Sequence, residues 1–277
     1  VAISLTAALR REYETLFETC RIRPQRMAFV ERMGDDLLRN RSRYDAVEEQ
    51  RGVPWHFVAV VHHMESGCDF SCHLHNGDPL SARTVRVPAG RPRTGSPPFR
   101  WEESAADAMA LKHLGSGTDW SLAGTLYQLE RYNGWGYRKY HPHVLSPYLW
   151  SFSEHYDSGK YVADGRWSES AVSRQCGAAV LLRRLAEKGA VDFAGQPAAV
   201  VDPDTPGGQE ERDLLVSTHR TRRASRDDEV ERDENLQRWL NTFPGIFLRV
   251  DGIPGDSTSA AYRRVTGVYL PGDPRGA

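Results

Sequence analysis

A glutamate at the end of an apolar helix is the side chain in this sequence best suited to acid chemistry. Residues 54–65 read PWHFVAVVHHME, apolar almost all round, and Val58, Val61 and His62 lie one and two turns behind Glu65 on its face. A carboxyl there loses solvent. Desolvation raises its pKa toward the range in which it stays protonated near neutral pH, as protonation of a glycosidic oxygen requires. A local cap or surface salt bridge is the competing use of the same position. Asp78 follows by thirteen residues, in His75-Asn76-Gly77-Asp78-Pro79, and Thr84 comes six later. With Glu65 as donor, Asp78 and Thr84 could hold the attacking water in an inverting arrangement, the two carboxyls roughly 6.5–9.5 Å apart. The ordinary task of an aspartate in such a turn is to cap it.

A metal site is the other chemistry to weigh, because His62, His63, Cys68, Cys72, His73 and His75 crowd into fourteen residues. The paired Cys-x2-Cys spacing of zinc sites is absent, and adjacent His62 and His63 point to different helix faces, so no metal and no cofactor is expected. Cys68 with Cys72, or Cys20 with Cys176, could form disulfides in an oxidising compartment.

The elements that must position these groups follow from periodicity. Leu9, Tyr13, Leu16, Phe17 and Cys20 mark one amphipathic helix, and Met27, Val30, Met33, Leu37 and Leu38 a second. The 54–65 helix starts at a proline and stops at Ser66-Gly67. Thr84-Val85-Arg86-Val87 alternates after turn-forming residues, which predicts a short strand or hairpin carrying Asp78 and Thr84. Helices are expected again at Glu102–Leu114, Leu122–Tyr132 and Ser168–Lys188, the last with Val172, Cys176, Ala179, Val180 and Leu182 inward. Between Gly134 and Trp167 stand nine aromatic residues, Tyr148 among them, in a loop-rich stretch. Rings of this kind stack on pyranose faces, although most in such a stretch serve as their own small core.

Glu65-Ser66-Gly67 at one helix end and Arg131-Tyr132-Asn133-Gly134-Trp135-Gly136 at another resemble the two signatures of the lysozyme-like superfamily, which includes goose-type lysozymes and lytic transglycosylases. The resemblance implies that Glu65 is the catalytic acid and that Tyr132, Asn133 and Tyr137 line a sugar cleft; His75 and Trp150 are expected as further substrate contacts. The Asp-x5-Thr spacing of Asp78 and Thr84 is similar to phage-type lysozymes, with a longer gap from Glu to Asp. HLHNGDPLSARTVRVPAGRP, YNGWGYRKYH and SPYLWSFSEHYDSGKYVADGRW look like a bacterial group of lysozyme family proteins over residues 20–188. Leu236-Gln237, Leu240-Asn241, Val250-Asp251-Gly252, Gly255 and Thr258 resemble the core of peptidoglycan-binding domains.

The expected fold is mainly α (α+β): a lysozyme-like helical domain with a small β-hairpin at 1–189, a charged linker at 190–233 and a short helical unit at 234–277. The linker assignment rests on 15 charged side chains and no aromatic in 209–234. The implied activity is a glycoside hydrolase on a β-linked amino-sugar polymer, foremost peptidoglycan. The alternatives are a hydrolase of chitosan, chitin or a glucan, and a non-catalytic glycan-binding wall protein. At 277 residues, 39% hydrophobic and 26% charged, the chain can bury a core without staples, and its net charge of -1 gives no reason to expect nucleic acid as a partner. It carries no apolar run long enough to span a bilayer, no signal peptide is expected among its opening residues, and it is expected to be a monomer with a polysaccharide as its partner. That substrate would place it outside the cell or in the periplasm.

Overall fold

Hydroxyl caps open two of the helices: Leu9 N–H donates to Thr6 Oγ1 (3.2 Å) at the start of α1 (Ala7–Glu18), and Gly124 N–H donates to Ser121 Oγ (3.2 Å) at the start of α6 (Leu122–Asn133). The computed structural model describes residues 3–193, 226–243 and 245–276, with backbone alone at 226–228. Between and after those two helices come α2 (Pro24–Arg39), α3 (Arg41–Arg51), α4 (Trp55–Ser66), α5 (Trp101–Leu111), α7 (Gly136–Tyr140), α8 (Pro147–Trp150), α9 (Ala178–Glu187), α10 (Arg226–Leu240) and α11 (Asp256–Thr266). The described residues are thus mainly helical, with one two-stranded antiparallel sheet, β1 (Lys160–Ala163) and β2 (Arg166–Ser168). None of the helices there is long and apolar enough to cross a membrane.

The chain divides into two compact units, Val1–Leu185 and Ala186–Ala277. In the first, α4 is the axis. Every residue from Trp55 to Met64 is buried, and the helix packs on α3 and α6 while α5 covers α3 and α1 covers α6. Phe57, Val58, Val60 and Val61 are wholly inaccessible, each contributing up to about 1.5–3 kcal/mol of apolar burial, so the end of α4 is a rigid point. Gly67, at φ +61°, turns the chain out of the helix, and its N–H donates to His63 O (3.1 Å).

Four expectations change. The segment expected to form the strand of Asp78 and Thr84 is an irregular loop; Pro79, Pro88 and Pro92 lack the N–H that a ladder needs, and the Asp78 carboxylate takes the N–H groups of Val85 and Arg86. The hairpin is instead at 160–168, turning at Asp164-Gly165 with Gly165 at φ +67°; Asp-Gly between alternating residues was the readable signal. The helix expected from Ser168 starts only at Ala178, which leaves Val172 exposed, while Cys176, Ala179, Val180 and Leu182 are buried as expected. Residues 41–51 form α3, which the apolar periodicity of the first fifty residues did not separate from its neighbours.

The linker expected at 190–233 lies mostly outside the described residues, but its end, 226–233, is the first half of α10. The second unit closes on a small core of Leu236, Leu240, Ile246, Leu248, Ala261, Tyr262 and Val265. Gln237 on α10 and Asn241, just past the end of that helix, act as side-chain clamps. The Gln237 Oε1 accepts from Asp251 N–H (2.8 Å) and Gly252 N–H (3.0 Å), while Asn241 donates to Leu248 O (2.8 Å). Gly252 sits at φ +66°, and a Cβ there would stand 2.6 Å from Val230 Cγ1, so glycine is required on both counts.

Candidate active site

Glu65 is the penultimate residue of α4, where the carbonyl end of the helix places partial negative charge against an ionised carboxylate. Its side chain is open to solvent, yet the surrounding protein desolvates the carboxyl and raises its pKa above the ordinary value. An accessible but crowded carboxyl is what a concave site produces. Two neighbours oppose the rise: Tyr148 O–H donates to Glu65 Oε1 (2.9 Å), and the Lys112 ammonium lies within electrostatic reach. Lys112 Nζ sits 4.5 Å from the ring centroid of Tyr132, which itself feels the charge of Glu65. Burial first, then Glu65, holds the Tyr148 phenol far above its ordinary pKa, so it remains a donor. The raised direction expected for Glu65 therefore holds through burial, with Tyr148 and Lys112 as the neighbours that oppose it.

Beside Glu65 a cavity of about 300 Å³ is lined by Asn133, Gly134, Gly136, Tyr137, Pro147, Tyr148, Lys160, Tyr161, Ser173 and Gln175. Tyr148 belongs to both the cavity wall and the carboxyl's hydrogen bond. Gln175 does the same for the backbone, donating from Nε2 to Met64 O (2.7 Å) at the end of α4. The hairpin contributes Lys160 and Tyr161. Behind them Tyr137, Tyr161 and Trp167 meet edge to face, and the His141 ring stacks on Trp167 at 3.5 Å and 7°. A wider, more open recess of about 710 Å³, between the end of α3 and residues 113–118, contains none of these groups. The convergence of a raised-pKa acid, a phenol, an amide and aromatic walls favours the smaller one.

Asn133 and Tyr137 thus lie on the cavity wall, and Tyr132 lies within electrostatic reach of Glu65. The other expected site residues have different tasks. Trp150 is 1% exposed and its ring packs on His155, so no sugar can stack on it; the accessible ring of α8 is Tyr148, two residues earlier. The His75 side chain is fully buried, with Nε2 2.8 Å from Asp107 Oδ2, and cannot touch a substrate.

Asp78 and Thr84 organise their own loop. Asp78 Oδ2 accepts from Val85 N–H (2.8 Å), Arg86 N–H (3.0 Å) and Asn76 Nδ2 (3.1 Å), while Oδ1 accepts from Arg86 Nε (2.6 Å). The Arg86 backbone N–H, with the Arg86 side chain and the Val85 N–H, outweighs desolvation and holds this carboxyl at about 2. So acidic a group, with both oxygens engaged, is a poor base for deprotonating water. Thr84 Oγ1 donates to Pro88 O (2.5 Å) and accepts from Arg91 N–H (2.9 Å).

Several of the clustered histidines sit in the packed interior. His62 is wholly buried beside Tyr44, Phe70 and Trp101, and burial lowers its pKa to about 4, leaving it neutral at pH 7. His73 Nε2–H donates to Ala82 O (2.8 Å) and Nδ1 accepts from Ser104 Oγ (2.7 Å). No three His, Cys, Asp or Glu side chains converge as metal ligands among the described residues, and all four cysteines are thiols.

Sequence reading did not assign Lys112, Tyr148, Lys160, Tyr161 or Gln175 to the site. The hairpin turn could have pointed to Tyr161; nothing local connects Tyr148 to a carboxyl 83 residues away. Compared with family models, curated proteins and solved structures, the chain shows no match.

Proposed function

We propose that the chain is a glycoside hydrolase acting on a β-linked amino-sugar polymer, foremost peptidoglycan, with Glu65 as its proton donor. The observation that carries this reading is the Glu65 carboxyl, desolvated at a helix terminus, bonded to Tyr148 and opening beside a cavity walled by aromatic and amide side chains. Protonated Glu65 gives its proton to the glycosidic oxygen, the bond from that oxygen to the anomeric carbon breaks, and positive charge develops on the sugar ring. Lys112 and Tyr148 stabilise the carboxylate left behind. That carboxylate then accepts the proton of the attacking oxygen, from water or from the sugar's own 6-hydroxyl. With Asp78 held by its loop, this single-acid cycle replaces the inverting pair.

The C-terminal unit is read as a wall-polymer anchor on the strength of its sequence pattern alone. The test is mass spectrometry of soluble fragments released from peptidoglycan, chitosan, chitin and a glucan, with Glu65→Gln as control. Release lost in Glu65→Gln while polymer binding persists supports the hydrolase. Polymer binding by the parent chain without release of any fragment assigns a non-catalytic glycan-binding protein. An inverted product, abolished by Asp78→Asn with the loop intact, would return Asp78 to the base role.

A further inference from the structure

Residues 81–100 hold five arginines and no acidic side chain. At the tip of this loop are the two most exposed large hydrophobic side chains of the described residues, Val87 at 90% and Val85 at 79%. Exposure of that order on a floppy loop would mean little. Here the backbone is fastened from beneath: Asp78 takes the N–H groups of Val85 and Arg86, Asn76 donates to Arg86 O (2.9 Å), and Thr84 N–H donates to Arg91 O (2.8 Å). Gly90 N–H donates to Thr84 O (2.7 Å), and the Thr84 hydroxyl joins Pro88 O to Arg91 N–H. The buried Asp-x5-Thr pair therefore builds a preformed tip.

We propose that this tip, Val85-Arg86-Val87 with Arg93 beside it in sequence, docks on an anionic phospholipid surface. Three properties favour a bilayer over a hydrated polymer. Valine offers a sugar or polymer neither a hydrogen bond nor a stacking face, but it gains on entering an acyl boundary. The Val85 and Arg86 N–H groups and Arg86 O are already paired within the protein, which lowers the cost of moving the tip out of water. The arginines supply the charge complement to lipid phosphate: Arg86 keeps 65% of its side chain exposed beside Asp78, and exposed Arg93 has no ion-pair partner among the described residues. Because the loop is ordered beforehand, docking does not have to order it.

The experiment is co-sedimentation of the full chain with vesicles of phosphatidylglycerol mixed equally with phosphatidylcholine, and with vesicles of phosphatidylcholine alone. The parent chain is expected on the mixed vesicles and largely absent from the neutral ones. Replacing Val85→Ser and Val87→Ser together lowers the partition coefficient by roughly tenfold or more, and Arg93→Ser lowers it by about fivefold. These side chains are exposed, and unchanged near-ultraviolet circular dichroism checks the fold. Failure of the parent chain to sediment with the mixed vesicles would overturn the proposal. So would equal binding by the double valine variant, or preferential capture by soluble polyglycerol phosphate without dependence on the valines, which would assign the arginines to a wall polymer.

Discussion

Replacing Tyr148 with phenylalanine tests the acid site through a change opposite in sign to ordinary damage. The ring and its packing stay; only the O–H that donates to Glu65 Oε1 at 2.9 Å is removed. That bond favours the ionised carboxylate, so its loss raises the Glu65 pKa further in the direction set by desolvation. A hydrogen bond to a charged group contributes about 1.5–3 kcal/mol when buried. Glu65 is open to solvent, and screening reduces the effect to roughly 1 kcal/mol, about a fivefold change in an equilibrium. A general acid works in its protonated form, so activity falls as pH rises through its pKa. On that alkaline limb Tyr148→Phe should be more active than the parent chain at the same pH, by less than about fivefold because Tyr148 also stabilises the carboxylate that forms in the transition state. At low pH, where Glu65 is protonated in both, the variant should be modestly slower, because the carboxylate that forms has lost its hydrogen bond from Tyr148. The assay is the pH profile of fragment release under kcat/KM conditions, which reports the free enzyme, with carboxyl NMR of Glu65 as a readout independent of activity. A limb displaced to lower pH, an unmoved Glu65 titration, or a uniform drop across the profile would refute the reasoning.

Glu65→Gln should reduce fragment release by at least about a hundredfold, with thermal melting unchanged because the side chain is exposed. Asp78→Asn should expose the Val85 and Arg86 amides to hydrogen exchange while leaving most of the activity. Asp78 titrates at about 2, below its ordinary value, so its contribution to the loop is full above about pH 4 and is lost as pH falls through about 2; exchange of those two amides against pH follows it. Gln237→Ala leaves the buried N–H groups of Asp251 and Gly252 without their acceptor and should destabilise the second unit by roughly 2–4 kcal/mol, measured by urea denaturation and by exchange at those amides.

Periodicity alone was enough to locate α4, its burial and the position of Glu65 at its end, because an apolar surface with a proline at one end and a glycine at the other leaves few other conformations. The Gln237, Asn241 and Gly252 pattern stood out in the sequence only through its resemblance to peptidoglycan-binding domains; the structure supplies its physical reason, two side-chain amides four residues apart that clamp a nearby loop and a glycine at a positive φ. Tertiary structure decided which aromatic rings face the acid. Tyr148 and Trp150 belong to one short helix, similar in composition and exposure as far as the sequence can tell, yet the first meets Glu65 and the second is core. It also decided the task of Asp78. A carboxylate in a turn can activate water or fasten a loop, and only the positions of the Val85 and Arg86 N–H groups distinguish the two. Local sequence determines which face of an element is apolar. Which polar groups meet across elements depends on how those faces dock, and that is set by the packing of the whole chain.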